Sequence, residues 1–466
     1  MNLFNTLSGK KELIKKSKKP LRLFVCGLTV YDTPHIGNAR TYVMFDSFVR
    51  YMRSQKYTVT YLQNITDIDD KIIDRAQREN TSWKKIAHTY EQLYHQNEKS
   101  LGITSVSTYA RATDYIPEIV RQIQTLIKKG YAYQTDDGYY FDIKKFERYG
   151  QLSKRSADIA EQAVSRIDES ITKHNKGDFA LWKFSKEGEP SWKTPLGSGR
   201  PGWHIEDTAI TEKFFGPQYD IHGGALDLKF PHHEAEIAQQ EAASGKHPLV
   251  RTWMHAGFLL VNGKKMSKSL GNFISINDFL KEYHPLVFRH LVLTHHYRSP
   301  MDYTEKLVAQ STQTLASLQK FIWKVSFIQT HTKNQKQNVA VKKILTNTQK
   351  EFHNALADDF NTPQALASIF LLLTSLESHL TKISSRDALT INTTILSLLE
   401  TIGISLISKS KIPASIQRLS AKRELARSYK QFMQADVLRN EIHQLGYIID
   451  DTPWGPLVMP KNIFTK

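Results

Sequence analysis

The apolar positions in the first part of the chain follow two different spacings. A largely apolar run over residues 21–25, which includes Arg22, predicts a strand, and residues 37–53 have the spacing of a helix. A second strand is predicted over residues 58–62. Because strands that alternate with helices are typical of a parallel sheet with crossover helices, the pattern predicts an α/β fold.

The pattern changes further along the chain. An amphipathic stretch at 116–129 leads to a β-rich insert around 139–143, and the charged segment 154–176 is predicted to loop over the surface. A turn-rich block at 194–202 marks a return to packed structure. From 310 to 405 the apolar residues have helical spacing, which predicts a helix bundle. A small mixed α/β domain is predicted to end the chain.

The net charge and the lengths of the apolar stretches indicate which kinds of molecule the protein can bind. The 466 residues carry a formal net charge of +17, which is typical either of a chain with a polyanionic partner such as nucleic acid or of a generally basic surface. No apolar stretch approaches the roughly 20 residues that a membrane helix needs, and the lysine-rich start is not followed by an apolar core. We therefore expect no membrane partner and a cytoplasmic location.

Cysteine usage restricts the possible metal chemistry. Cys26 is the single cysteine, so an intrachain disulfide and a multi-thiolate zinc finger are excluded. It follows the first predicted strand, directly before a glycine. If Cys26 binds a metal, the other ligands must be nitrogen and oxygen atoms. The chain offers a dense supply of them at His204, Glu206, Asp207, His232, His233, Glu234 and Glu236.

Two short motifs have the chemistry of phosphate binding. Residues 35–38 read His-Ile-Gly-Asn between a predicted strand and helix, where backbone amides point at bound anions, although the same residues are also compatible with an ordinary capped turn. Residues 264–269 read Lys-Lys-Met-Ser-Lys-Ser between glycines. Lysines in such a loop can surround a triphosphate, whereas a lone lysine run is usually a solvated turn.

The order and separation of these motifs resemble the HIGH and KMSKS signatures of class I aminoacyl-tRNA synthetases. Longer stretches resemble the cysteinyl-tRNA synthetase family, and the matching segments are 24–32, 64–71, 200–206, 220–224, 230–237, 358–363 and 435–439. The resemblance implies ATP-dependent activation of L-cysteine to cysteinyl-adenylate and transfer to the 3′-terminal ribose of tRNA(Cys). It also implies one zinc ion per chain and Mg²⁺ with ATP, and we expect a monomer.

The resemblance implies the zinc ligands residue by residue, and they fall on Cys26, Asp207, His232 and Glu236. Asp207 departs from the family, which usually has a second cysteine there. A carboxylate oxygen is an acceptable zinc ligand, so direct ligation ranks first, a role beside a three-ligand zinc second, and a metal-free site last. His232 and Glu236, four residues apart, would share one helix face. His233 and Glu234 are then expected to face elsewhere and to act as packing groups or as partners of the metal ligands.

The same resemblance assigns the remaining site residues. His35, Asn38, Lys265 and Lys268 are expected to act on ATP in catalysis, with Asn38 in place of the second histidine of the HIGH signature. Thr66, Trp203 and Asp227 are expected to bind the substrate. Ordinary structural roles also fit these three, since a threonine can cap a helix, a tryptophan can fill a core and an aspartate can close a turn.

The expected domains follow the family. A Rossmann-like parallel-sheet catalytic domain is expected in two halves around a connective insertion, followed by a KMSKS-loop region that contacts the tRNA stem, a helical bundle and a C-terminal anticodon-binding domain. Their expected ranges are 1–115, 116–195, 196–255, 256–309, 310–405 and 406–466.

Two other functions stay open on the sequence. One is a ligase that joins activated cysteine to the amine of a small amino sugar, and the other is a catalytically silent tRNA-binding paralogue. The segment 358–363 and the basic C-terminal part argue against the first, and His35, Lys265 and Lys268 argue against the second.

Overall fold

The computed structural model describes residues 1–155, 172–267, 270–332 and 335–465. The chain divides into two compact units, the first comprising residues 1–276 and 297–301 and the second residues 277–296 and 302–466.

The strands of the first unit are β1 (Asn2–Asn5), β2 (Lys10–Leu13), β3 (Leu21–Thr29), β4 (Val59–Thr66), β5 (Thr108–Arg111), β6 (Ala132–Gln134), β7 (Gly138–Phe141), β8 (Phe179–Phe184), β9 (Trp192–Thr194), β10 (Gly197–Pro201), β11 (Tyr219–Ala225), β12 (Val250–Ala256), β13 (Leu259–Val261) and β14 (Lys264–Lys265). Its helices are α1 (Ile36–Ser54), α2 (Asp70–Arg78), α3 (Trp83–Ser100), α4 (Ile116–Lys128), α5 (Ile205–Phe215) and α6 (His232–Ser244).

A five-stranded parallel sheet organises this unit. Its strand order is β12-β11-β3-β4-β5, and every neighbouring pair is parallel. The chain builds β3, β4 and β5 outward on one side and then returns to add β11 and β12 on the other. The order therefore reverses between β3 and β11, and in open α/β sheets ligands bind outside the carboxyl ends of the strands at such a point.

The central strands are largely buried, although polar residues such as Gln63 and Asn64 lie among the apolar ones. Leu23, Phe24 and Val25 of β3 are fully buried, which is typical of a parallel strand covered on both faces. A bulge in the pairing of β3 with β4 follows Val25, and a Cβ on Gly27 would lie 1.7 Å from the carbonyl oxygen of Asn64. Only glycine allows the two strands to approach this closely.

The predicted insert is present as a second sheet. β6, β7, β8, β10 and β9 form a five-stranded sheet in that order, and its neighbouring strands are antiparallel. Its aromatic residues, among them Phe141, Phe179 and Trp182, pack in the same core as Phe24 and Leu62 of the parallel sheet. Of the charged segment predicted at 154–176, residues 156–171 lie outside the described residues.

The second unit is mainly helical. Its helices are α7 (Ile276–Glu282), α8 (Pro285–Leu293), α9 (Glu305–His331), α10 (Val339–Ala357), α11 (Thr362–Glu377), α12 (Ser385–Thr401), α13 (Ala414–Ser428) and α14 (Phe432–Gln444), and its strands are β15 (Met301–Tyr303), β16 (Tyr447–Thr452) and β17 (Gly455–Pro460). The first residues of α7 and β15 belong to the first unit.

The C-terminal part of this unit is the predicted small mixed α/β element. β16 and β17 pair as an antiparallel hairpin, and Ile449 of β16 packs with Ile416 of α13 and Ile442 of α14. The fold class predicted from the sequence is confirmed, with a parallel sheet, an inserted sheet, a helical part and a small mixed end. No helix among the described residues combines the length and apolar character that crossing a bilayer requires.

Candidate active site and metal centre

A cavity of about 840 Å³ opens at the carboxyl ends of β3 and β11, where the strand order reverses. Its walls include both predicted phosphate motifs, through His35, Asn38 and Lys265, and it reaches Cys26 at the end of the buried part of β3. The structure thus brings residues from distant parts of the chain to the place where an open α/β sheet binds its ligands.

The 35–38 motif begins α1 and caps it. The backbone N–H of Asn38 donates to Nδ1 of His35 at 3.2 Å, and the backbone N–H of His35 donates to Oδ1 of Asn38 at 3.1 Å. Because Nδ1 accepts a hydrogen bond, the neutral His35 ring carries its proton on Nε2. The interpretation of the motif as a capped turn is confirmed. The two residues also line the cavity, and their binding to phosphate stays a prediction.

The lysine-rich loop is joined to this motif through the backbone. The N–H of Ile36 donates to the carbonyl of Ile274 at 3.1 Å, and the N–H of Ile276 donates to the carbonyl of Pro34 at 3.1 Å. Lys265 is exposed and lines the cavity. Lys268, the other lysine expected to act on ATP, lies outside the described residues.

The side chain of Asn272 makes two hydrogen bonds within the described part of this loop, a role that the sequence analysis missed. Its Oδ1 accepts from the backbone N–H of Ser267 at 2.9 Å, and its Nδ2 donates to the carbonyl of Lys265 at 3.2 Å. The signal in the sequence was an asparagine directly after Gly271, at the end of the lysine-rich motif. A side chain that bridges two backbone positions in this way fixes a loop that has no regular structure.

The four side chains expected to bind zinc converge. Cys26, Asp207, His232 and Glu236 come from β3, α5 and α6, and their donor atoms all lie within 4.8 Å of one another. Nε2 of His232 lies 2.9 Å from Oδ2 of Asp207 and 3.4 Å from Oε1 of Glu236. All four residues are at most 5 % exposed. His232 and Glu236 share one face of α6, as their spacing predicts.

Two further histidines face the same sulfur atom. Sγ of Cys26 lies 3.3 Å from Nε2 of His222 and 3.2 Å from Nε2 of His233, and these residues form a second possible metal-binding group with Glu236. The sequence analysis gave His222 no role and expected His233 to face elsewhere. The expected direction of His233 is wrong, because α6 begins directly beside the ends of β3 and β11 and its first two residues both reach this space. Its expected role, as a packing group or a partner of the metal ligands, stays a prediction.

Glu234, in contrast, faces away from the cluster as expected. Its carboxylate accepts hydrogen bonds from the backbone N–H groups of Gly150, Leu152 and Ser153 at 2.9, 3.1 and 2.7 Å. These bonds hold part of the connection between β7 and β8 of the inserted sheet, so the role of Glu234 is structural.

Burial makes charge expensive in the cluster. Desolvation, followed by the nearby carboxylates of Glu236 and Asp207, raises the pKa of the Cys26 thiol well above its ordinary value. Desolvation and Asp207 likewise raise the pKa of Glu236. Desolvation lowers the pKa of His222 and of His233 well below the ordinary value, so both imidazoles are neutral at pH 7.

A metal ion fits this set of donors. Oδ1 of Asp207 and both carboxylate oxygens of Glu236 are buried without a hydrogen-bond partner within the described residues. Buried carboxylate oxygens are costly unless they are hydrogen-bonded, paired or bound to a metal. Thiolate, imidazole and carboxylate are the ligand types that zinc takes in proteins, and the Cys26 cluster offers all three.

Of the three residues expected to bind the substrate, two line the cavity and the third is buried beside Glu206. Trp203 stacks on the ring of His232 with centroids 4.4 Å apart, and it lines the cavity together with Asp227. Thr66 is buried at the end of β4, and its hydroxyl donates to the carboxylate of Glu206. The hydroxyl of Thr66 therefore holds a buried carboxyl behind the cavity wall.

The fold and the two motifs define the class of protein. A family described as the tRNA synthetases class I (C) catalytic domain matches residues 12–313, and a DALR domain matches residues 351–406. Methionyl-tRNA synthetase of Mycobacterium tuberculosis in complex with methionyl-adenylate is similar in structure, with a TM-score of 0.62 and 16% identity over 83% of this chain and 90% of that one. A putative arginyl-tRNA synthetase from Campylobacter jejuni gives a TM-score of 0.55 and 14% identity over 85% of this chain and 95% of that one. The chain has the class I aminoacyl-tRNA synthetase fold.

Proteins with similar sequences show to which family within this class the chain belongs. The cysteine–tRNA ligase of Methanococcus maripaludis strain C7 is 40% identical over 99% of both chains. Those of Thermodesulfovibrio yellowstonii and Thermococcus gammatolerans are 40% and 39% identical, covering 97% and 98% of this chain and 98% of each relative. The chain belongs to the cysteine–tRNA ligase family, which confirms the resemblance seen in the sequence.

Proposed function

We propose that the protein activates L-cysteine with ATP as cysteinyl-adenylate and transfers the cysteinyl group to the 3′-terminal ribose of tRNA(Cys). One observation carries this proposal: a single cavity joins both phosphate motifs, through His35 and Lys265, to the thiol of Cys26. Membership in the cysteine–tRNA ligase family supports it over the full length of the chain.

In the first step the substrate carboxylate attacks the α-phosphorus of ATP, and pyrophosphate leaves. The protein aligns two anions and stabilises the charge that develops on phosphate oxygens. We assign this role to His35, Asn38, Lys265 and Lys268, with Mg²⁺ bound to ATP. His35 suits it because its capping bond leaves the ring proton on Nε2, on the side away from the helix amides. In the second step a ribose hydroxyl of the tRNA attacks the acyl carbon, and AMP leaves.

Cysteine recognition is assigned to the buried cluster. Cys26, Asp207, His232 and Glu236 would hold one zinc ion. When bound, zinc supplies a soft Lewis acid for the substrate thiolate, an interaction that the hydroxyl of serine cannot match at neutral pH. Trp203 orients the His232 ring by stacking on it. The remaining substrate contacts are assigned to Asp227 on the cavity wall and to Thr66 through its bond to Glu206.

The basic second part of the chain is proposed to bind tRNA. We assign contacts with the tRNA stem to residues 256–309, support of the bound tRNA to the helical bundle at 310–405, and anticodon binding to residues 406–466. We expect the protein to act as a monomer in the cytoplasm. The DALR match at 351–406 supports tRNA binding. The cysteine–tRNA ligase relatives also match the chain over nearly its whole length, which favours tRNA over an amino sugar as the acceptor and favours an active enzyme over a silent paralogue.

ATP–pyrophosphate exchange with zinc-loaded protein tests the activation step. Exchange should depend on cysteine and should not respond to serine, and labelled cysteine should be transferred to tRNA(Cys). No exchange with cysteine would refute the proposed function. If cysteine supports exchange but labelled cysteine is transferred to an amino sugar and not to tRNA, the protein is the ligase that joins cysteine to an amino sugar.

A variant that keeps the helix cap sharpens the test. His35→Asn retains a residue that caps helices well but shortens the side chain, so the variant should fold normally while exchange slows by about 10²-fold, the usual effect of removing one donor from a charge that develops in the transition state. Lys246→Met, at an exposed position of the same unit, is the control and should exchange at the wild-type rate. Equal rates for the two variants would remove His35 from the mechanism.

A further inference from the structure

Two imidazoles converge on the single thiol of the chain. Nε2 of His222 and Nε2 of His233 lie 3.3 and 3.2 Å from Sγ of Cys26, and the three residues are at most 5 % exposed. The two histidines come from β11 and α6, so separate elements deliver them to the same atom.

The other nitrogen of each ring is already engaged. Nδ1 of His222 lies 2.6 Å from the hydroxyl of Tyr219, and Nδ1 of His233 lies 2.8 Å from Nε2 of His255. Nδ1 of His255 in turn lies 2.8 Å from the hydroxyl of Thr6. When each Nδ1–H donates outward along these contacts, both Nε2 lone pairs point at the sulfur. A thiol has one hydrogen for two such nitrogens, whereas a metal ion bound to a thiolate satisfies both.

Glu236 connects this pair of histidines to the other ligand group. Its Oε2 lies 3.4 Å from Nε2 of His222, and its Oε1 lies 3.4 Å from Nε2 of His232. Neither oxygen has a hydrogen-bond partner in the described part of the chain. One carboxylate therefore faces two neighbouring groups of nitrogen donors, one through each oxygen.

We propose that His222 and His233, together with Cys26 and Glu236, form a second binding position for the zinc ion, beside the position that contains Asp207. This inference rests on the proposed function, since it concerns the ion that would bind the substrate thiolate. Both positions use the same thiolate and the same glutamate, and the ion exchanges one pair of the remaining donors for the other.

The two donor sets differ in charge. A thiolate, two carboxylates and one imidazole around Zn²⁺ leave a net charge of −1 on the coordinated group, whereas a thiolate, one carboxylate and two imidazoles leave it neutral. The second position therefore offers the ion a complete set of four zinc-type donors that does not include Asp207.

Two measurements test the inference. Competition with a chelator gives the zinc affinity, and X-ray absorption at the zinc edge gives the number of imidazole ligands. Asp207→Asn should weaken zinc binding by no more than about 10-fold, because the ion keeps the second position, and the absorption spectrum should show two imidazole ligands. Adding His222→Gln should weaken binding by a further factor of about 100 and leave fewer imidazoles. His88→Gln, at an exposed position, is the control and should bind zinc as the wild type does.

The inference is overturned if the absorption spectrum of Asp207→Asn shows a single imidazole ligand, or if Asp207→Asn loses zinc as completely as the double variant does. It is also overturned if His222→Gln leaves the zinc affinity of Asp207→Asn unchanged. His233→Gln in the same background repeats the test from α6 if the His222 variant does not fold. Failure of the proposed function is distinguishable, because it would appear as zinc-loaded wild-type protein that does not exchange pyrophosphate with cysteine.

Discussion

Replacing Arg40 by lysine is expected to destabilise the first unit and to weaken ATP binding. Arg40 lies in α1, one turn after the His35 cap, and is 2 % exposed. Its guanidinium donates to the backbone carbonyls of Gly257 at 2.7 Å, of Tyr297 at 3.4 Å, and of Phe258 and Ser299. One side chain thus ties the helix that follows the phosphate motif to two loops, and Gly257 and Phe258 line the cavity.

The magnitude follows from the burial of Arg40. Desolvation lowers its pKa from 12.5 to about 10. At about 1.4 kcal/mol per pKa unit, burying the charge costs about 3 kcal/mol, which the four carbonyl contacts must outweigh because the group stays charged at pH 7. A lysine places three donors on one atom and cannot span four carbonyls. One or two carbonyls would stay unsatisfied at about 1–3 kcal/mol each, so Arg40→Lys should lower the free energy of unfolding by about 2–4 kcal/mol.

Urea denaturation and steady-state exchange kinetics measure the two effects. The KM for ATP should rise more than kcat falls, since the loop at Gly257 shapes the cavity while the reacting groups stay in place. Arg121→Lys, with a side chain that is 67% exposed, is the control and should stay within about 0.5 kcal/mol of the wild type. A free energy of unfolding and a KM that are both unchanged in Arg40→Lys would refute this reasoning.

Three further outcomes are expected. Gly37→Ala should affect the rate of pyrophosphate exchange more strongly than the thermal stability of the protein. The new Cβ would lie 2.9 Å from the His35 ring and displace it. A variant that exchanges pyrophosphate at the wild-type rate would contradict this. The carboxylates of Glu91 and Glu98, 3.7 and 3.2 Å from the ring nitrogens of His95, raise the pKa of His95 to about 9 from 6.5. This histidine therefore stabilises the fold fully below pH 6.5, and its contribution is lost as the pH rises to 9. In urea denaturation at pH 6 and pH 9, His95→Gln should therefore lose less stability than the wild type. Asp207→Cys should tighten zinc binding in a chelator competition, since a thiolate suits zinc better than a carboxylate does; weaker binding would contradict the assignment.

The first strands and the first helix could be predicted because local chemistry specifies them. The apolar run at 21–25 lies inside β3, and the predicted helix at 37–53 differs from α1 by one residue at each end. Burial on both faces of a parallel strand requires a continuous apolar run, and a helix at the sheet surface requires apolar residues every three or four positions. Both requirements are visible in a single sequence.

Contacts between distant residues could not be predicted in this way. His222 and His233 are 196 and 207 residues from Cys26 along the chain, and periodicity carries no information on such pairs. The resemblance supplied the expected ligand set because it transfers positions known to act together. It supplied no role for His222 and only a packing or supporting role for His233. It could not anticipate that α6 begins close enough to β3 for successive residues to face one cluster.

The glycine pair at the end of β11 explains why this cluster can form beneath the cavity. A Cβ on Gly223 would lie 2.3 Å from the ring of Phe45, and a Cβ on Gly224 would lie 2.8 Å from Cε1 of His233. Without side chains at these two positions, α1 packs against one face of the strand and the His233 imidazole packs against the other. The donor atoms of the cluster are therefore placed by the backbone of a buried strand, whereas the phosphate motifs lie on a helix start and a loop. The proposed function uses this difference, since it assigns recognition of the substrate sulfur to the buried cluster and phosphate binding to the helix start and the loop.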